Sequence, residues 1–233
     1  MNLTLRKSAE RGHADHGWLR SHHTFSFAGY HDPRHMGFRT LRVINEDYVV
    51  PGAGFPTHPH RDMEIFSYVV EGSIAHKDSM GNGRVLQPGQ IQLMSAGSGV
   101  THSEFNPSPS EPLHLLQIWI QPATRGLRPG YTEWHPSEES ENSPKVLVIS
   151  PDGRDGSATI HQKADVYRVR LAKGESIGHE LASGRGAWFQ PIRGRVNLND
   201  TELAAGDAAS TENPGTLSIA AFGPSEGLLF DLG

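Results

Sequence analysis

The sequence predicts an all-β protein built from two antiparallel β-barrels in tandem. Three observations predict it. Short runs rich in β-branched and aromatic residues recur along the 233 residues, separated by Gly- and Asn-rich turns. No long stretch carries apolar residues at helical spacing. The two halves of the chain repeat one pattern of strand, glycine, hairpin, glycine, strand.

Taken in order, residues 41–45 (LRVIN) read as a buried strand and residues 64–70 (EIFSYVV) as a second. Residues 73–77 run into the turn DSMGNG, and residues 85–87 lead to the turn Pro88-Gly89. Residues 91–94, 113–120 and 145–149 are further strands. Between them, residues 121–144 are polar and proline-rich and read as an exposed connection. Strands resume at 166–171, 187–192, 195–199, 216–221 and 228–232. The repeat aligns Gly72 with Gly194 and Gly89 with Gly206. It divides the chain into an N-terminal barrel, residues 1–140 with the proline-rich connection, and a C-terminal barrel, residues 141–233.

Composition narrows the function. A net charge of -5 without a Lys/Arg run argues against direct contact with nucleic acid, which needs a basic patch. The absence of cysteine removes disulfides, thiolate metal sites and cysteine nucleophiles. The first twenty residues hold no apolar run long enough for a signal peptide, and no segment is long enough to span a bilayer. The expected setting is therefore cytoplasmic, away from membranes. Nothing marks a specific interface, so a monomer is expected.

Histidine is the anomaly, at 14 residues. His58-Pro59-His60 places two imidazoles at i and i+2, on one face of a strand. Chance alone gives about one such pair at this histidine content, so the pair is weak by itself. His102-Ser103-Glu104 repeats the spacing, adds a carboxylate and follows a glycine-rich turn. If the two strands face each other in a barrel, three imidazoles and one carboxylate converge on one ion. That donor set suits Fe, Ni, Co, Cu or Zn rather than Mg or Ca. Glu64 shares the face of His58 and His60 if their strand runs on regularly, so parity does not choose between Glu64 and Glu104. The early histidines, His13, His16, His22, His23, His31 and His35, suit no single strand face and are expected to make ordinary hydrogen bonds. Phe25, Phe27 and Trp119 are expected in the core, and His76 and Asp78 on a hairpin.

The residues around these pairs resemble a known family. Gly52, His58, His60 and Glu64 fit the first cupin motif, G-x5-H-x-H-x3-E. Gly89, Gly97, His102 and Asn106 fit the second loosely, with Ser95 where proline is usual and a longer gap before His102. Those departures are characteristic of pirins, the bicupin subgroup. HTFSFA at residues 23–28, THPHRDME at 57–64, His76-Lys77-Asp78-Ser79 and Leu116-Gln117-Ile118-Trp119 also look like pirin segments. The resemblance covers most of residues 6–120 and is looser afterwards, where Ile160-His161-Gln162 remains.

The resemblance implies two cupin-type, jelly-roll-like barrels and one divalent transition metal held by His58, His60, His102 and Glu104. Iron is the expected ion, with nickel, cobalt, copper or zinc compatible. Glu64 is then a hydrogen-bond partner orienting an imidazole. In the second half the equivalent positions fall on Glu180, Ala182, Ile219 and Ala221, so that barrel is expected to be metal-free. Bacterial pirins resemble quercetin 2,3-dioxygenases, which open the central ring of a flavonol with O2 and release carbon monoxide. Glu104 would be both ligand and general base. The alternative function is a metal- or redox-sensing co-regulator that binds a protein partner, or another small-molecule cupin enzyme.

Overall fold

The computed structural model describes residues 1–233. The chain forms two compact units. One comprises Gly12–Pro136 with Ala158–Gln162, the other Met1–Arg11, Ser137–Ser157 and Lys163–Gly233. The first eleven residues thus lie in the unit made by the C-terminal half, whereas the sequence placed them in residues 1–140. The cause is local. Thr4–Arg6 pairs antiparallel with Ala208–Ser210, and Asp207 accepts the Ser8 amide at 2.8 Å and the Lys7 ammonium at 2.9 Å.

In the first unit a seven-stranded sheet runs Gly130–Trp134, Ile91–Ser95, Glu64–Glu71, Leu113–Ile120, Leu41–Val49, Leu19–His23 and Gly12–Asp15. A four-stranded sheet runs Gly54–His60, Val100–Phe105, Ile74–Asp78 and Gly83–Leu86. Leu19, Val49, Val69, Ile74, Leu86, Leu113 and Leu115 are buried together, drawn from both sheets. These are alternate positions on the inward face of their strands, while in Leu41–Val49, Glu64–Glu71 and Leu113–Ile120 most residues of the other face are buried as well. Residues 121–144 are more ordered than their composition suggested. Gly130–Trp134 pairs with Ile91–Ser95, and Glu138–Asn142 is a short helix capped by Ser137.

The other unit repeats the plan. Thr4–Arg6, Ala208–Thr211, Gly186–Arg193, Ser225–Leu232, Ala164–Leu171 and Lys145–Ser150 follow one another in a sheet. Ser176–Leu181, Gly215–Ala221, Arg195–Leu198 and Thr201–Ala204 form a four-stranded one. The repeat extends to single residues. Gly72 and Gly194 both have φ 76°, and a Cβ would stand 2.5 Å from the Pro112 carbonyl oxygen in one and 2.4 Å from that of Pro224 in the other. Only glycine fits such a left-handed, crowded position. Inside this unit Leu217, Ile219 and Ala221 are buried. His179, also buried, pairs with Asp231 at 2.9 Å.

Candidate metal centre

His58 and His60 lie on Gly54–His60, an edge strand of the four-stranded sheet. An edge position tolerates Pro56 and Pro59, which cannot donate to a ladder. His58 stands opposite His102 on Val100–Phe105, and cross-strand neighbours point to the same face. The three Nε2 atoms therefore converge. His102 Nε2 lies 3.0 Å from His58 Nε2 and 3.1 Å from His60 Nε2. All three donor atoms lie within 4.8 Å of one another.

The chemistry of this trio fits a transition ion. At metal–nitrogen bonds of about 2.0–2.1 Å, two nitrogens at a right angle on one ion are about 3 Å apart. Both close pairs match that spacing. Burial, then the neighbouring imidazoles, push His60 and His102 down to about 3, so both rings are neutral donors at neutral pH. The Nδ1–H of His58 donates to the Pro56 carbonyl at 2.7 Å, which leaves the lone pair on Nε2. His102 Nδ1 lies 3.1 Å from His76 Nε2, a partner of the kind that orients a ligating ring.

Glu104 is buried and shares a cavity of about 70 Å3 with His58 and His60. Its carboxylate stands outside the trio. Oε1 accepts from Ser67 Oγ at 3.0 Å and from Gln92 Nε2 at 2.9 Å, and Oε2 accepts from Gln117 Nε2. Those donors come from three adjacent strands in register, with Gln92 opposite Ser67 and Ser67 opposite Gln117. The row continues from Gln117 to Asn45 and from Asn45 to His23. Five buried polar side chains thus cross the inner face of the larger sheet. Buried polar groups cost stability unless paired, so such a row marks a face kept for chemistry rather than packing.

Glu64 is placed elsewhere. The strand of His58 and His60 ends at His60, and Asp62 turns the chain with φ 49°. Glu64 then opens a strand of the other sheet, so the parity it shares with the histidines in sequence has no spatial meaning. Its carboxylate accepts from Ser95 Oγ at 2.7 Å and from the His161 amide at 3.3 Å.

The family follows from the sequence that carries this geometry. Residues 4–120 match the pirin family model, and residues 147–232 match the quercetinase C-terminal cupin domain. The chain belongs to the pirin family. It is 50% identical over 230 residues to the quercetin 2,3-dioxygenase of Escherichia coli strain K12, covering 99% of this chain and 98% of that protein. The crystal structure of YhhW from Escherichia coli superimposes with a TM-score of 0.96 at 49% identity, over 100% of this chain and 98% of that one. The bacterial pirin YhhW in complex with nickel(II) gives 0.94 at 48% identity, over 99% of each chain.

In this pirin the cavity below the trio meets a larger one of about 500 Å3, and Phe27, Asn45, Asp47 and Phe55 line both. Of the early histidines, His13, His16 and His23 line the larger cavity. Phe27 and Trp119 meet edge-on at 5.3 Å, and His60 packs edge-on against Trp119 at 4.9 Å. Two residues of the site carry no spacing signal in the sequence. His76, opposite Glu104 on the neighbouring strand, is buried against His102. Asp47 is buried with one oxygen held by Ser21 Oγ. Burial pushes the Asp47 carboxyl up to about 7; the Ser21 hydrogen bond opposes that, and the charges of Glu104 and Glu46 add to it.

Proposed function

We propose that this pirin is a quercetin 2,3-dioxygenase, opening the central ring of a flavonol with O2 and releasing carbon monoxide. The observation that carries the reading is the convergence of three imidazole nitrogens beside a small cavity, lined by His58, His60 and Glu104, that meets a larger one. The near-complete coverage of a relative named for that activity supports it.

His58, His60 and His102 would hold one divalent transition ion, with Glu104 completing the set. When bound, the ion supplies a Lewis-acidic centre where the flavonol oxygens and O2 are brought together. The rest falls to the chain. Glu104 accepts the proton of the substrate 3-hydroxyl, within reach because it lines the same cavity as His58 and His60. Ser67, Gln92 and Gln117 hold its carboxylate in place. Phe27, Phe55 and Trp119 give the cavity an apolar wall that receives a flat aromatic ring and keeps bulk water away. The larger cavity falls within the range of small-molecule pockets, about 300–1,000 Å3.

Metal-free protein would be loaded in turn with Fe, Ni, Co, Cu or Zn and mixed with quercetin in air. Loss of the flavonol absorbance with release of carbon monoxide is the expected result for at least one ion. No turnover with any ion would sink the reading. Glu104→Gln should lower kcat by at least ~100-fold, the size of a lost general base, and should also weaken metal retention.

A further inference from the structure

We infer that Asp47 is a specificity-determining residue, whose free carboxyl oxygen takes a hydrogen bond from a second hydroxyl of the aromatic substrate, beyond the one that reacts. The inference rests on the flavonol reading of the site and deepens it.

Glu104 accepts three hydrogen bonds, and both of its oxygens are engaged. Asp47 is different. Ser21 Oγ donates to Oδ1, and the structure gives Oδ2 no partner. The residue is only 2% exposed, yet it lines both the small cavity below the imidazoles and the larger one beside it. With no donor from the chain and a place on the cavity walls, that oxygen is open to a ligand or water as its hydrogen-bond partner. Asp47 stands where the two cavities meet.

Position then selects the ligand group. The small cavity, about 70 Å3, takes only the reacting end of a flat polycyclic molecule. The remainder lies in the larger space, between Trp18, Phe27, Tyr30 and Phe55. At the junction, Asp47 reaches a group one ring away from the reacting atoms. An acceptor oxygen in an apolar surround requires a donor, and the donor a polyphenol offers is a ring hydroxyl. Asn45, two residues earlier on the same strand face, is already committed through Oδ1 to His23 Nδ1 at 2.8 Å. Ser21 is committed to Asp47 itself. Asp47 is therefore the acceptor at the junction with capacity to spare.

The test compares two substrates. Quercetin carries several ring hydroxyls, and 3-hydroxyflavone carries only the reacting one. For Asp47→Ala, loaded with the ion that supports wild-type turnover, kcat/KM on quercetin should fall about tenfold further than on 3-hydroxyflavone. About tenfold corresponds to one hydrogen bond to a charged or strongly polar group. Asp47→Asn, which keeps the shape and the Ser21 contact, should show a smaller change in the same ratio. Metal content and melting temperature of each variant separate specificity from misfolding. An unchanged ratio, or an equal loss on both substrates, overturns the assignment while leaving the enzyme reading intact. Wild-type protein that acts on neither substrate overturns both, and is recognised before any variant is made.

Discussion

A single residue can be costly to the fold and useful to the site, and Asp47 is the case here. Its carboxyl is pushed up to about 7 by burial, against a usual value near 3.8. Between those values the folded state binds more protons than the unfolded chain, so stability falls as pH rises through that window. Asp47→Asn removes the ionisable group and keeps its size. In metal-free protein this variant should melt several degrees above wild type at pH 7.5, with most of the gain gone at pH 5. A gain of the same size at both values would show that Asp47 is not a strained carboxyl. His60 and His102 work in the opposite sense. Their rings are held down to about 3, so the metal-free protein loses stability as pH falls from 6.5 towards 3. That opposing slope is shared by wild type and variant, and the comparison isolates Asp47.

At the scale of elements, the glycine that precedes each inner hairpin is the clearest mark of the repeat. Gly72 combines φ 76° with a carbonyl oxygen 2.5 Å from where a Cβ would stand. Gly52 has a similar φ of 72° with open space around it. Gly52→Ala should cost about 1–2 kcal/mol, from conformation alone. Gly72→Ala should cost at least ~2 kcal/mol more, because strand Leu113–Ile120 must also give way. Denaturant midpoints measure both, and equal costs would mean that the close approach carries no energy.

Elements also show what was legible in the sequence. Leu113–Ile120 was readable to the residue, because a short, nearly continuous apolar run bounded by prolines suits a buried strand. Gly12–Asp15 and Leu19–His23 were not, since their histidines line a cavity rather than a core and so lack apolar alternation. Thr4–Arg6 was hidden because three residues carry no period, and its partner lies two hundred residues away. Gly130–Trp134 was masked by the prolines and charges around it. The site divides in the same way. His58, His60 and His102 were visible because i, i+2 spacing is local. The polar row Gln92, Ser67, Gln117, Asn45 and His23 was invisible, because it exists only across strands whose order in the sheet is not written in their spacing.

For the whole molecule, an ion held by the trio would be a folding ligand as well as a Lewis acid. The three imidazoles come from two strands that must pair before the nitrogens meet, and such a site does not exist in the unfolded chain. Binding therefore adds stability in proportion to the logarithm of free ion over its dissociation constant, about 2.7 kcal/mol at a hundredfold excess. Removing the ion with a chelator should lower the melting temperature, and returning it should restore the loss. A melting temperature indifferent to the ion would mean that the strands carry no metal between them.

The central claim is that His58, His60 and His102 hold one ion in one place. Metal content after loading with nickel(II) and gel filtration tests it most directly. Wild-type protein should retain one ion per chain, and His58→Ala and His102→Ala should each retain almost none while remaining folded. Full occupancy in a folded His102→Ala protein would contradict the account.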